Sequence, residues 1–223
     1  MEGGVRSLGR VGCGSAMIVA PLLLLVSSAL GPPHRASRHL ADPLPHIAAD
    51  PDRFLASVFV ALLSLTLLLP AVLGIAHLLL PGRPALALTG AAFVLVGVLA
   101  LAVVHGVQLV QHQMVHTTAD QGQMVALLQR LEGGIGLKVI FVGFSLGLFL
   151  GWIILSVGLF ATRVVPKAIP VSVLISVLLN FAGLELLSRL FFLLGLGWLG
   201  VVVVSMRDDV WVLADSGDGE RST

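Results

Sequence analysis

His112 and His116 stand four residues apart, with His105 seven residues before the first of them. On a continuous helix the pair points two imidazoles the same way, and His105 falls on a similar face with Gln108 between. Two nitrogen ligands at that spacing, with a third from a loop, suit zinc or copper. His46 or Asp120 could complete such a set.

A second reading stands beside the metal one. The stretch His-Gln-Met-Val-His lacks the glutamate of the zinc-protease helix motif. Polar residues also gather wherever an apolar helix meets water. His105 lies inside an apolar run, where a polar side chain is expected to be functional or to hydrogen-bond a neighbouring helix. Gln108 and Asn180 are the other polar residues expected to be buried. Glu185 and Arg189 have the favourable i,i+4 order. His77 and His105 fall near opposite faces of the membrane, which excludes a shared haem iron. The single cysteine, Cys13, excludes an internal disulfide and a cysteine-based zinc site. No Ser-His-Asp arrangement and no phosphate-binding glycine loop is readable, so no catalytic residue is assigned.

The elements that must position these groups are apolar. Phe54 to Leu80 carries no charged side chain, a run longer than the roughly 20 residues a helix needs to cross a bilayer core. The chain is 57% hydrophobic and 11% charged with mean hydropathy +1.03, more apolar surface than a soluble domain of 223 residues could hide. The expected fold is therefore all-α, a polytopic transmembrane bundle of about six helices. A formal charge of +1 argues against nucleic acid as a partner.

The first apolar run, near Val11 to Gly31, reads as an uncleaved first helix bent near Pro21 or as a signal-peptide core, which would leave five helices. The segment 32–53 is an outer loop closed by Asp50-Pro51-Asp52, a helix start. The second helix runs to about Leu80 with a kink at Pro70. The third spans about Ala85 to Val110 and continues as a polar extension into the outer segment 112–136. Within it Thr118 and Gln121 have capping-box spacing, and Met124, Leu127, Leu128 and Leu131 form an apolar stripe. That pattern suits a short amphipathic helix on the membrane surface or an ordinary helical connector. The fourth helix covers about Leu137 to Ala161. Pro170 to Met206 is too long for one crossing and reads as a hairpin with Glu185 and Arg189 at its bend.

Residues 1–10 form an N-terminal tail, 11–206 the bundle, and 207–223 an acidic tail expected to lack structure. Gly143, Gly147 and Gly151 recur every four residues, with Gly158 a heptad later. They predict close packing along the fourth helix, within the bundle or in a homodimer.

With the N-terminus inside, inner segments hold seven Lys and Arg residues and outer segments six, a weak orientation signal. Arginine outnumbers lysine eleven to two in a chain rich in Ala, Leu, Val and Gly, a composition typical of GC-rich bacterial genomes.

Three stretches, Asp-Pro-Asp-Arg-Phe-Leu-Ala-Ser from Asp50, Val-Val-His-Gly-Val-Gln-Leu-Val from Val103 and Ala-Thr-Arg-Val-Val-Pro from Ala161, carry a resemblance. Over residues 50 to 206 the chain resembles a diffuse group of small multi-pass membrane proteins from GC-rich bacteria. The resemblance implies a six-helix-type bundle in the cytoplasmic membrane and brings no assigned activity or site residues. The expected function is a non-enzymatic accessory or interaction subunit without cofactor. Its expected partners are the lipid bilayer and another membrane protein or a second copy. The alternatives are an outer-facing protein binding zinc or copper at His105, His112 and His116, and a small-solute permease.

Overall fold

The computed structural model describes residues 2–31, 40–116, 121–162, 164–206 and 211. It is an all-α bundle of about six apolar helices, with no strand among the described residues. Five segments are long and apolar enough to cross a membrane: Gly9–Leu30, Pro51–Leu79, Pro84–Val115, Ile135–Thr162 and Glu185–Ser205. The protein is an integral membrane protein.

The helices are α1 (Glu2–Leu30), α2 (Leu44–Ala49), α3 (Pro51–Leu79), α4 (Pro84–His116) and α5 (Gln121–Gly133). After them come α6 (Ile135–Thr162), α7 (Ala168–Phe181) and α8 (Glu185–Phe192). A π-helical turn, Leu193–Gly197, then joins α8 to α9 (Trp198–Ser205). As read from the sequence, Asp50 caps α3, its carboxylate accepting from the Arg53 N–H at 3.2 Å. The α3–α4 turn is equally tight, with the Gly82 and Arg83 N–H groups both donating to the Leu79 carbonyl. Pro21 and Pro70 lie inside helices that continue through them.

The spans close into a ring in which α1 packs on α3, α3 on α4, α4 on α6 and α6 on α7. The α8–α9 arm returns against α7 and α1 to complete it. One end of the ring carries the α3–α4 turn (the turn end); the other carries Gly31 and α2 (the loop end). Towards the turn end the lumen is filled by fully buried side chains, among them Val72, Ile75, Leu155, Ile169, Leu196 and Leu199. At the loop end Ile47, Phe54 and Val58 make a separate small core. Helix α2 lies within the expected outer loop 32–53, and its fully buried Ile47 holds it to the bundle.

Glycines set the closest approaches. A Cβ on Gly147 would stand 2.7 Å from the Gly97 nitrogen and 2.8 Å from the Phe93 carbonyl oxygen; one on Gly151 would stand 2.6 Å from the Val94 nitrogen. Gly158 faces the tip of Leu79. Gly143 belongs with them in sequence but not in space, since a Cβ there meets nothing within 4 Å. The close approach of α6 to α4 has ended by that position. A second close approach joins α1 to α9, where a Cβ on Gly200 would lie 2.5 Å from the Gly14 carbonyl oxygen.

Across the α1–α3 interface two hydroxyls and an arginine donate to carbonyls. Ser64 reaches the Ala20 carbonyl at 2.7 Å, Ser27 the Ser57 carbonyl at 2.9 Å, and Arg53 the Ala29 carbonyl at 2.8 Å. For the buried Ser64 hydroxyl such a bond satisfies the donor where no water is present to do so.

The acidic tail lies outside the described residues except Trp211, which is buried against His77. Thr118 of the expected capping box, His34, His39 and Asp120 lie outside them as well.

Candidate functional site

Helix α7 has 14 residues, about 21 Å of helix. A bilayer core is about 30 Å thick, so the α7–α8 hairpin stops short of the loop end. Its bend uses Gly183 at φ 74°, a conformation that strains any residue with a Cβ. Helices α4 (33 residues) and α6 (28 residues) stand well above that bend. The space over the sunken tip is not filled by side chains. It forms a cavity of about 1820 Å³ between α1, α3, α4, α6 and the hairpin.

The cavity is graded. Its floor is apolar: Leu65, Leu68, Leu148, Trp152 and Phe192, the last two meeting edge to face with centroids 5.0 Å apart. Above it His105, Gln108, Ser145, Asn180, Glu185 and Arg189 form a polar belt. Asp42, His46, Glu132 and Lys138 line the mouth.

Arg189 organises the belt. Its Nη2 donates to the Glu185 carboxylate one helical turn back, and its Nη1 donates to the Leu24 carbonyl of α1 at 3.2 Å. The hairpin tip is thereby fastened to α1. Two serines hold the hairpin's own arms together: Ser188 donates to the Ser176 carbonyl and Ser172 to the Phe191 carbonyl, both at 2.8 Å. His105 of α4 lines the same cavity as Arg189.

His105 is half-buried, and its Nδ1 bonds the Leu101 carbonyl of its own helix at 2.9 Å. A carbonyl can only accept, so Nδ1 carries the proton. The expected bond from His105 to a neighbouring helix is replaced by this local one, and the ring borders the cavity. Gln108 is half-buried beside it. Asn180, expected to be buried, is exposed on the cavity wall, because the hairpin ends just beyond it. His112 is buried at 6% exposure but is not among the cavity residues. The neighbouring Gln111 is buried too and donates to the Leu40 carbonyl at 2.7 Å. His116 ends α4 and its ring lies outside the described residues. Among the described residues no three His, Cys, Asp or Glu side chains come together as a metal site would require.

The sequence pointed to the histidines of α4 and did not assemble the belt. Glu185 and Arg189 were legible as a pair at a bend. Their place inside the membrane depends on how far α7 reaches, which hydropathy alone does not fix. No protein-family model matches the chain, and no curated protein or solved structure is similar to it.

Proposed function

We propose that the protein is a non-enzymatic binding protein of the bacterial cytoplasmic membrane, holding an amphipathic molecule in the cavity between its helices. The observation that carries this reading is the gradient from the Trp152–Phe192 floor to the Arg189–His105 belt inside one continuous space. Binding sites place a few convergent polar groups in a mainly apolar wall. A cavity with polar groups halfway up suits a molecule with an apolar part and a polar head.

An enzymatic reading finds less support. Arg189 and Glu185 are engaged with one another, and the His105 Nδ1 is engaged with its own backbone. This differs from a nucleophile–base arrangement, which needs two side chains within hydrogen-bond reach of each other and of a reacting atom. An accessory role follows naturally, with the bound molecule presented to another membrane protein. With the N-terminus in the cytoplasm the mouth faces outward, so the cavity samples the outer leaflet.

Native mass spectrometry of the detergent-purified protein tests the reading. A stoichiometric adduct is expected, absent from a Ser145→Trp variant that fills the cavity. A protein with no adduct under any extraction condition removes the proposal. Orientation is tested in a Cys13→Ser background by labelling Asp42→Cys and Arg83→Cys in intact cells. Labelling at 42 alone is expected.

A further inference from the structure

We propose that the occupant of the cavity is a zwitterionic phospholipid of the surrounding bilayer, admitted sideways between α6 and the tip of the α7–α8 hairpin. Its headgroup rests on the Arg189–His105 belt and a chain lies on the Trp152–Phe192 floor. The inference rests on the reading of the cavity as an amphiphile site and names the amphiphile.

Size is the first argument. Pockets for small soluble ligands span roughly 300–1,000 Å³, and this cavity, at about 1820 Å³, exceeds them. The volume calls for a molecule with a long apolar part.

The entrance is the second. Phe141, Val142 and Phe181 line the cavity and are also 39%, 55% and 61% exposed. They mark the side where α6 rises above the hairpin, Phe141 and Val142 standing about two turns nearer the loop end than Phe149, whose ring meets Phe181 edge to face at 4.4 Å. An opening to water would be rimmed by polar groups. This rim is aromatic and aliphatic and sits at the level of a hairpin that stops within the hydrocarbon, so what enters there comes from lipid.

Charge is the third argument. Arginine has five N–H donors, and Arg189 commits Nη1 to the Leu24 carbonyl and Nη2 to Glu185. The remainder of its fork suits phosphate oxygens. On the facing wall the His105 ring, whose Nδ1 donates to the Leu101 carbonyl, borders the same cavity with its Nε2 edge uncommitted to that bond. Glu185 supplies negative charge at the same level, and Lys138 with Glu132 and Asp42 repeats both signs at the mouth. A purely anionic headgroup would meet these carboxylates, whereas a phosphate joined to an ammonium answers both signs.

Trp152 allows a direct test, being 5% exposed and therefore screened from chains of the bulk bilayer. The double variant Trp198→Phe/Trp211→Phe leaves it as the single tryptophan. It is reconstituted in mixed phosphatidylethanolamine–phosphatidylglycerol vesicles in which one lipid or the other carries brominated chains. Loss of Trp152 emission with the brominated ethanolamine lipid, and its retention with the brominated glycerol lipid, is expected. Arg189→Gln should raise the fraction of brominated lipid needed for half-quenching roughly tenfold, the effect of losing one charge-assisted hydrogen bond. Asn180→Leu, which leaves the hairpin fastening intact, should raise it in the same direction.

Equal quenching by both lipids overturns the headgroup assignment. No quenching by either, with a different adduct still seen by native mass spectrometry, overturns the phospholipid and leaves the amphiphile site standing. No quenching and no adduct removes both.

Discussion

Arg189 donates to the backbone carbonyl of Leu24, 165 residues earlier in the chain, and so ties the tip of a short intramembrane hairpin to the first helix. The same guanidinium is paired with Glu185. One side chain therefore closes the ring of helices at the level where the hairpin ends and places a charge pair at the cavity wall. Intramembrane ions are costly unless paired, which makes their presence here informative.

Arg189→Leu is expected to lower the thermal midpoint of the detergent-solubilised protein by removing both the tie to α1 and the guanidinium paired with Glu185. Removing one partner of a partly buried pair away from water costs more than removing both. The double variant Glu185→Gln/Arg189→Leu should therefore recover part of the loss, with a coupling of about 1–2 kcal/mol. A double-mutant cycle by thermal denaturation measures it, and strict additivity would contradict the coupling.

Glycine positions in α6 separate into two kinds. At Gly151 any side chain meets the α4 backbone within 2.6 Å, so Gly151→Leu must push α4 and α6 apart. Overpacking of this sort costs about 1–3 kcal/mol or more, since backbone cannot rotate aside. At Gly143 a Cβ meets nothing within 4 Å, and Gly143→Leu is expected to leave the midpoint unchanged. Thermal denaturation of the two variants side by side checks the contrast. A large loss at Gly143 would instead indicate that a second copy occupies that face.

This contrast also shows how much the sequence could tell. Hydropathy defined the long spans because hydrocarbon enforces it, and the Asp50 cap and the α3–α4 turn were legible because Asp, Pro and Gly at those spacings have few other uses. Small-residue periodicity announced that α6 packs closely. It could not say where the contact ends, which depends on how α4 crosses, nor name Gly97 and Gly200 as partners. The hairpin bend was readable at Glu185. The cavity above it was not, because an empty volume is a property of six helices together and leaves no local pattern. The histidine spacing of α4 was the most visible chemical signal. Folding puts His105 on the cavity wall and buries His112, about two turns nearer the loop end, outside the cavity lining.

Gln111 is expected to control the loop end without affecting the bundle. Its Nε2 donates to the Leu40 carbonyl at 2.7 Å, holding the chain just before α2 against α4. Gln111→Ala removes that single bond, worth about 1 kcal/mol. The midpoint should move little. Hydrogen exchange over residues 40–49 should rise, while exchange in α3 and α6 stays as in the parent protein. Unchanged exchange over 40–49 would show that Ile47 alone secures this segment.

At the opposite end His77 and Trp211 make a contact that reaches past the last helix. The His77 Nε2 bonds the Trp211 carbonyl at 3.2 Å, and the two rings lie with centroids 4.5 Å apart at 37°. The carbonyl accepts, so Nε2 must carry the hydrogen. The ring contact contributes about 0.5–1.5 kcal/mol beyond the area it buries. Trp211 is 9% exposed and joins the main hydrophobic core, and the His77 contact adds to that burial. His77→Ala should therefore loosen Trp211 while leaving the spans in place. In a Trp152→Phe/Trp198→Phe background, Trp211 emission should shift to the red and become accessible to iodide, and protease should cut after α9 sooner than in the parent. Blue-shifted, protected emission in the His77→Ala protein would mean that the indole is held by something other than the histidine.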